Sequence, residues 1–175
     1  MKKIALIIAN GSEEIEALTP KDVLVRAGAV CDIVSVSDKI VCCSRGVKVV
    51  ADKLVKDFDI DEYDGIIIPG GMPGSTNIRD CEKVMLAISK AFSDNKLVAG
   101  ICASPAVVLK TAGVINGKKA TCYPANEFIN EIKEVATYTA NGVEIDGNVI
   151  TADGIKSAMD FALKICEYLG IKPKF

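Results

Sequence analysis

The sequence predicts one α/β domain over residues 1–175, with a doubly wound, mostly parallel sheet, helices on both faces and a small β-hairpin. Short apolar runs alternate with segments of helical spacing, as expected of strands that are buried on both faces between helices. The length suits a single domain, and no internal repeat or long linker divides the chain. Right-handed crossovers between parallel strands then place helices on both sides of the sheet.

The first half of the chain opens the sheet and carries the hairpin. We predict strands at residues 3–9, 31–36 and 65–68, a hairpin from strands at 40–43 and 47–51, and helices at 13–27 and 81–92. Gly28 ends the first helix, and Pro20 is expected to kink or restart it, because proline has no N–H to donate.

The second half continues the alternation. We predict strands at 97–101, 119–122, 135–139, 143–145 and 149–152, and helices at 105–111, 126–133 and 155–169. Gly113 and Gly170 stop the first and last of these helices. The four core strands end at residues 10–16, 69–71, 101–104 and 152–154. In parallel sheets such ends share one edge, where ligands bind, so we expect a site there.

Composition excludes several kinds of function. The chain has no histidine, so it can form neither a Ser-His-Asp or Cys-His catalytic pair nor a zinc site of the usual Cys/His type. With 21 basic and 23 acidic residues the net charge is −2, and only 5% of residues are aromatic. This balance argues against nucleic acid as a partner.

Neither the N-terminus nor the interior predicts a membrane segment. The apolar run at residues 4–9 is shorter than the ~7–15 residues of a secretory core, and the run at 97–109 falls short of the ~20 residues of a membrane span. The seven cysteines are odd in number and form no Cys-x-x-Cys pair, which indicates free thiols in a reducing compartment. We therefore expect a cytoplasmic protein without a membrane partner.

Cys102 lies between the strand at 97–101 and the helix predicted from Pro105, with small residues on both sides. This arrangement is typical of a nucleophile elbow, which holds a side chain exposed on strained backbone. The N–H groups at a helix N-terminus lower a cysteine pKa from about 8.5 to about 3.5–7.5, so we expect an acidic thiol. The alternative is a small residue that packs a tight turn.

Two further features lie at the same edge. Gly70 and Gly71 follow a buried strand, and their N–H groups together with that of Ala103 are candidates for an oxyanion pocket; a simple tight turn is the alternative, and a phosphate loop is a weaker one. Glu16 lies one turn into the first helix. Beside a thiolate and under apolar cover its pKa should rise, which would make it an acid–base partner.

Five motifs that follow one another along the chain resemble those of the ThiJ/PfpI superfamily, in particular of its DJ-one (Parkinson-disease protein) branch. The resemblance covers nearly the whole chain and rests on Gly11-Ser12-Glu13-Glu14-Ile15-Glu16, Arg26-Ala27-Gly28, Cys43-Ser44-Arg45, Pro69-Gly70-Gly71 and Ala99-Gly100-Ile101-Cys102-Ala103. It implies a flavodoxin-like subunit that forms homodimers, with no cofactor and no metal.

The resemblance also assigns roles. Cys102 matches the family's readily oxidised nucleophile and Glu16 its protonated carboxyl partner, with Gly71 and Ala103 as backbone donors. Arg45 and Arg26 match arginines near the dimer and site, or are ordinary surface residues. Ala103 stands where the peptidase branch has histidine, which excludes a Cys-His peptidase, and Tyr123 stands where relatives often have one.

We therefore expect a cofactor-free enzyme that acts on small reactive carbonyl compounds by glyoxalase or deglycase chemistry, through Cys102 and Glu16. The first alternative is a redox sensor or chaperone, in which Cys102 is oxidised to sulfinic acid without turnover. The second is a structural α/β binding domain. The roles of Cys42 and Cys43 stay open.

Overall fold

The structure, a computed structural model, describes residues 1–175. The eleven strands are β1 Lys3–Ile8, β2 Val30–Ser35, β3 Ile40–Cys42, β4 Lys48–Val50, β5 Lys53–Leu54, β6 Gly65–Ile68, β7 Leu97–Ile101, β8 Lys119–Ala120, β9 Thr137–Tyr138, β10 Val143–Asp146 and β11 Val149–Ala152. The α-helices are α1 Glu14–Arg26, α2 Gly74–Arg79, α3 Glu82–Ser93, α4 Asn126–Lys133 and α5 Ala158–Leu169. A π-helical turn covers Pro105–Leu109, and 3-10 turns cover Val55–Asp57, Ile60–Glu62 and Ile155–Ser157.

Seven strands form the central sheet in the order β10-β11-β7-β6-β1-β2-β5. All neighbours are parallel except β10, which runs antiparallel to β11. The chain starts in the middle at β1, moves outward through β2 and β5, and returns to β6 before it moves out on the other side. This order is that of a doubly wound sheet, and it confirms the predicted fold class. The predicted hairpin is the separate antiparallel pair β3–β4.

Both faces of the sheet are buried, because the side chains of each strand alternate between two cores. Ile4, Leu6 and Ile8 belong to a cluster of 25 buried residues, which includes side chains from α1 and α5. Ala5 and Ile7 belong to a cluster of 24 on the opposite face, which includes side chains from α3 and the π-helical turn. The two clusters are of nearly equal size, and each includes helical side chains, so helices cover both faces of the sheet. This explains why every β1 side chain from Ile4 on is apolar.

Two predicted helices differ from the structure. α1 continues through Pro20, which is buried in the helix interior; packing on the sheet outweighs the lost hydrogen bond, so the expected restart is wrong. The helix predicted at 105–111 is a π-helical turn, in which Lys110 donates its N–H to the Pro105 carbonyl over 3.0 Å. The sequence pattern gives the presence of a helix here but not its hydrogen-bond spacing.

The remaining differences concern short elements. The helix predicted at 155–169 begins with the 3-10 turn and becomes regular only in α5. The strand predicted near residue 137 pairs with β8 in a separate two-stranded sheet, while β10 joins the main sheet. α2, with six residues, and β5, with two, were not predicted, since segments of this length are too short to show a period. None of the helices combines the length and apolar character that a bilayer crossing requires.

Candidate functional site

The candidate site lies where β1, β6, β7 and β11 end, since these neighbouring parallel strands share one carboxyl edge. Cys102 follows β7 directly and has a φ of 66°, which a non-glycine residue rarely adopts. Its N–H donates to the Ala152 carbonyl and its carbonyl accepts the Tyr123 N–H, each over 2.8 Å. The strained elbow predicted from the sequence is therefore present, and it is fixed from two sides.

Ser104 fixes the same turn from below. Its buried hydroxyl accepts the Ile101 N–H over 2.9 Å and lies 2.9 Å from the Ile68 carbonyl, to which it donates. The hydroxyl thus links the ends of β6 and β7 under Cys102. Ser104 is not among the predicted site residues, although a small polar residue two positions after a predicted nucleophile was the available signal.

Glu16 is fully buried in the first turn of α1. Its Oε2 accepts the Gly70 N–H over 2.9 Å, and the Cys102 side chain lies beside the carboxyl group. Its Oε1 is buried and has no hydrogen-bond partner. Glu13 sets the start of the helix, because its carboxylate accepts the Glu16 N–H over 2.9 Å as an N-cap.

The two glycines after β6 have different roles. The N–H groups of Gly71 and Ala103 both act to lower the pKa of the Cys102 thiol. The Gly70 N–H instead binds Glu16, so the prediction that it forms an oxyanion pocket with the other two is wrong. The sequence could not show which group the Gly70 N–H binds, because this depends on how far the Glu16 side chain extends below the end of β6.

The protonation of the pair differs in part from the expectation. Burial raises the pKa of Glu16 from 4.5 to about 7, against the opposing hydrogen bonds from Cys102 and Gly70. Burial also raises the pKa of the Cys102 thiol, and the charge and hydrogen bond of Glu16 raise it further, although the N–H groups of Ala103 and Gly71 lower it. The acidic thiol was predicted from the helix end alone. Burial and the charge of an ionised Glu16 shift the pKa of Cys102 in the opposite direction, so the thiol holds its proton.

Tyr123 lies beside the thiol, as the motif position indicated. Its ring is about half exposed and meets the Phe128 ring edge-on at a centroid distance of 6.3 Å. With Pro124, Asp153, Gly154, Ile155 and Lys156 it lines a cleft of about 530 Å³ next to the elbow. Cys102 itself is partly buried and does not line this cleft, but Gly154, which does, lies against it.

The two arginines lie outside the reactive centre. The Arg45 N–H donates to the Glu14 carboxylate over 2.9 Å, and the Ser44 hydroxyl donates to it over 3.0 Å, which ties the hairpin to the start of α1. The Arg45 side chain is exposed. Arg26 ends α1 and pairs with Asp22 over 2.6 Å. It is twelve residues from Glu14, or ~18 Å along the helix, so it is not a site residue.

All seven cysteines are free thiols. Cys31, Cys43, Cys122 and Cys166 are buried, Cys42 is exposed, and Cys81 is partly buried like Cys102. No three cysteine, aspartate or glutamate side chains lie together in a way that would hold a metal ion. Cys102 therefore differs from the other thiols by its strained backbone and its buried carboxyl neighbour.

Comparison with known proteins gives a consistent result. The model of the DJ-1/PfpI family matches residues 2–168. The chain is 37% identical over 174 residues to protein DJ-1 homolog B of Arabidopsis thaliana, which covers 99% of this chain and 39% of the relative. It is 35% identical over 171 residues to glutathione-independent glyoxalase DJR-1.2 of Caenorhabditis elegans, with 96% and 89% covered.

A solved structure agrees as well. The oxidised DJ-1 of Toxoplasma gondii superposes with a TM-score of 0.91 at 42% identity, with 97% of this chain and 91% of that chain covered. The chain spans about two fifths of the length of the Arabidopsis relative, so the shared part is one unit of a longer protein there.

Proposed function

The chain belongs to the DJ-1/PfpI family, and from this membership and the site geometry we propose that it converts reactive 2-oxoaldehydes to hydroxy acids without a cofactor. Cys102 is the proposed nucleophile and Glu16 the proposed acid–base group. The name of the Caenorhabditis elegans relative, a glutathione-independent glyoxalase, supports this reaction class.

One observation carries the proposal: a fully buried carboxyl group beside the Cys102 thiol has one oxygen fixed by Gly70 and the other, Oε1, without a hydrogen-bond partner. Buried polar atoms are nearly always paired, and exceptions call for an explanation. A pKa of about 7 lets Glu16 exchange a proton near neutral pH. A proton acceptor and a nucleophile thus stand side by side in a chain without histidine.

The first step forms a hemithioacetal. Glu16 takes the thiol proton, and the Cys102 sulfur attacks the aldehyde carbon of, for example, methylglyoxal, so that a C–S bond forms and the C=O π bond breaks. The proton returns to the aldehyde oxygen. Because the proton moves within the pair, the thiolate arises without a change in net charge, and the Gly71 and Ala103 N–H groups stabilise it.

The second step moves hydrogen between carbons. The Glu16 carboxylate removes the proton from the carbon that carries sulfur, which gives an enediolate and a protonated Glu16, and Glu16 returns the proton to the neighbouring carbon. A hydroxyl proton moves from the first oxygen to the second, and the product is a thioester of lactate. Water then cleaves the thioester, so that methylglyoxal plus water yields lactate and restores the thiol.

Lactate formation from methylglyoxal without glutathione tests the proposal. We expect Cys102→Ser and Glu16→Gln each to lower kcat/KM at least ~100-fold, the usual range for an acid–base group. Cys81→Ser, which changes another partly buried thiol, is the matched control and should keep wild-type activity. Equal activity in Cys102→Ser and wild type would disprove the mechanism.

Redox sensing through Cys102 is a second candidate, and the oxidised state of the Toxoplasma gondii structure favours it. Hydrogen peroxide would convert the thiol to sulfenic and then sulfinic acid, releasing one water in each step. A protonated Glu16 Oε1 is placed to donate to a sulfinate oxygen. Mass spectrometry after mild peroxide tests this function, which fails if a thiol other than Cys102 is the first to gain two oxygens.

A further inference from the structure

Gly154 lies against both members of the Cys102–Glu16 pair. It follows β11 and Asp153, and its φ of 147° and ψ of −160° are values that residues with a side chain rarely adopt. A Cβ atom placed on Gly154 would lie 3.9 Å from the Cys102 sulfur and 3.9 Å from Glu16 Oε1. Both distances are ordinary van der Waals contacts.

The same position touches an aromatic ring. The hypothetical Cβ of Gly154 would lie 3.5 Å from Cδ2 of Tyr123. One point in the structure therefore contacts the nucleophile, the unpartnered carboxyl oxygen and an exposed ring edge at once. Because Gly154 has no Cβ, a substrate carbon that packs against its Cα comes close to the two groups that act on it, which favours a reaction subsite beside Gly154.

The cleft that leads to this point has apolar walls. Tyr123 and Ile155 are each 47% exposed, and Pro124 is exposed as well. Neighbouring exposed apolar residues of this kind often mark a binding surface. The two charged residues of the cleft, Asp153 and Lys156, have opposite signs. The Asp153 carboxylate also accepts the Ser157 hydroxyl over 2.5 Å. The cleft therefore offers apolar contact and no net charge.

We propose that the cleft of Tyr123, Gly154 and Ile155 is a specificity subsite that takes the apolar substituent of a 2-oxoaldehyde while Cys102 attacks its aldehyde carbon. The missing side chain of Gly154 leaves room for the reacting carbon, and the ring of Tyr123 forms the wall for the substituent. With a volume of about 530 Å³, the cleft accommodates groups well beyond methyl, such as a phenyl ring. The inference rests on the proposed function and adds a substrate preference to it.

Tyr123 is held well enough to select between substrates. Its N–H donates to the Cys102 carbonyl over 2.8 Å, which ties its backbone to the elbow. Phe128 packs edge-on against its ring and restricts the ring orientation. No side chain of the protein forms a hydrogen bond with the Tyr123 hydroxyl, so the ring face, rather than the hydroxyl, is the feature on which the proposed selection depends.

The test compares two aldehydes in variants of Tyr123. We expect Tyr123→Ala to lower kcat/KM for phenylglyoxal at least tenfold, measured as mandelate formation, while the value for methylglyoxal stays within threefold. Tyr123→Phe keeps the ring and should retain the preference. Tyr168→Ala changes a similarly exposed tyrosine on α5 and serves as the matched control. Equal losses on both aldehydes, or none on either, would overturn the subsite.

A second measurement separates this inference from the proposed function. Alkylation of Cys102 by 2-bromoacetophenone and by iodoacetamide needs no turnover, because sulfur simply displaces the halide. Tyr123→Ala should slow the aromatic reagent at least fivefold relative to the small one. If wild type forms neither lactate nor mandelate but shows this difference, the glyoxalase proposal fails and the subsite stands. If the ratio does not change, the subsite fails whatever the turnover.

Discussion

Gly70 donates its N–H to Oε2 of Glu16 over 2.9 Å, and the same residue has no space for a side chain. A Cβ atom on Gly70 would lie 2.5 Å from Glu16 Oε2 and 2.5 Å from the Cys102 Cβ. Gly70 thus sets both the orientation of the carboxyl group and its approach to the nucleophile. The backbone of one residue positions the whole reactive pair.

Gly70→Ala should therefore disable the site and also destabilise the fold. We expect a loss of ~1–3 kcal/mol in the free energy of unfolding, as is usual for overpacking. Lactate formation should fall ~100-fold, because the pair is pushed out of its geometry. Urea unfolding and the lactate assay measure the two effects. Gly117→Ala is the control for activity: a Cβ there meets nothing within 4 Å, so lactate formation should stay at the wild-type level although the φ of 72° makes alanine costly to stability. An active Gly70→Ala would show that the contact is not needed.

Glu16 should also give the protein a characteristic pH dependence of stability. Its folded pKa of about 7 lies above the ordinary 4.5, so the folded state binds this proton more tightly than the unfolded state. Its stabilising contribution is complete below pH 4.5 and is lost as the pH rises through about 7. At about 1.4 kcal/mol per pH unit, the change amounts to at most ~3 kcal/mol.

Glu16→Gln should remove this slope. We expect urea unfolding between pH 4.5 and 8 to show falling stability in wild type and a flatter profile in the variant, with the variants compared at each pH. Glu127→Gln, on the exposed part of α4, should retain the wild-type slope. A slope that survives in Glu16→Gln would assign the effect to other groups.

Glu14 contributes in the opposite direction. Burial acts to raise its pKa, but the hydrogen bonds from its own N–H, the Arg45 N–H and the Ser44 hydroxyl outweigh burial and lower it. Its contribution is present above pH 4.5 and is lost as the pH falls through the lowered pKa. We expect Glu14→Gln to weaken stability at pH 7 more than at pH 3, measured by urea unfolding. Equal losses at both pH values would contradict this.

The sequence predicted the parts of the structure that depend on long patterns. β1, β6, β7 and β11 were each visible as an apolar run followed by glycine or small residues, and their convergence followed from the topology. The position of Cys102 at the elbow followed from the same runs. The homodimer and the cytoplasmic location remain predictions; light scattering after size exclusion would test the first.

The predictions that were wrong concern features that depend on burial and on neighbouring side chains. Pro20 predicted a kink or a restart of the helix, but α1 continues through it with Pro20 buried in its interior. The pKa of Cys102 depends on burial and on the charge of Glu16, and neither is visible in the spacing of residues around an elbow. Gly70 and Gly71 are adjacent in sequence, yet the Gly70 N–H binds the Glu16 carboxyl group while the Gly71 N–H lowers the pKa of the Cys102 thiol.

Ser104 has a structural role that the sequence pattern did not predict. Its hydroxyl joins Ile101 and Ile68 below the nucleophile and is fully buried. Ser104→Ala leaves the Ile101 N–H without its partner, so we expect a loss of ~1–3 kcal/mol in the free energy of unfolding. Ser93→Ala removes an exposed hydroxyl that bonds within α3, and should cost under ~0.5 kcal/mol. Urea unfolding of both variants checks this, and equal costs would argue against the role of Ser104.

The most informative measurement on the reactive pair is the pH dependence of Cys102 alkylation. Burial raises the pKa of this thiol in wild type and in Glu16→Gln alike, but only wild type adds a neighbouring negative charge above pH 7. We therefore expect the midpoint of iodoacetamide modification, followed at Cys102 by mass spectrometry, to move to lower pH in Glu16→Gln. The modification of Cys42 and Cys81 in the same sample is the internal control and should not move. A midpoint that instead rises in the variant would mean that Glu16 remains protonated and donates to the thiolate, so that its hydrogen bond outweighs its charge.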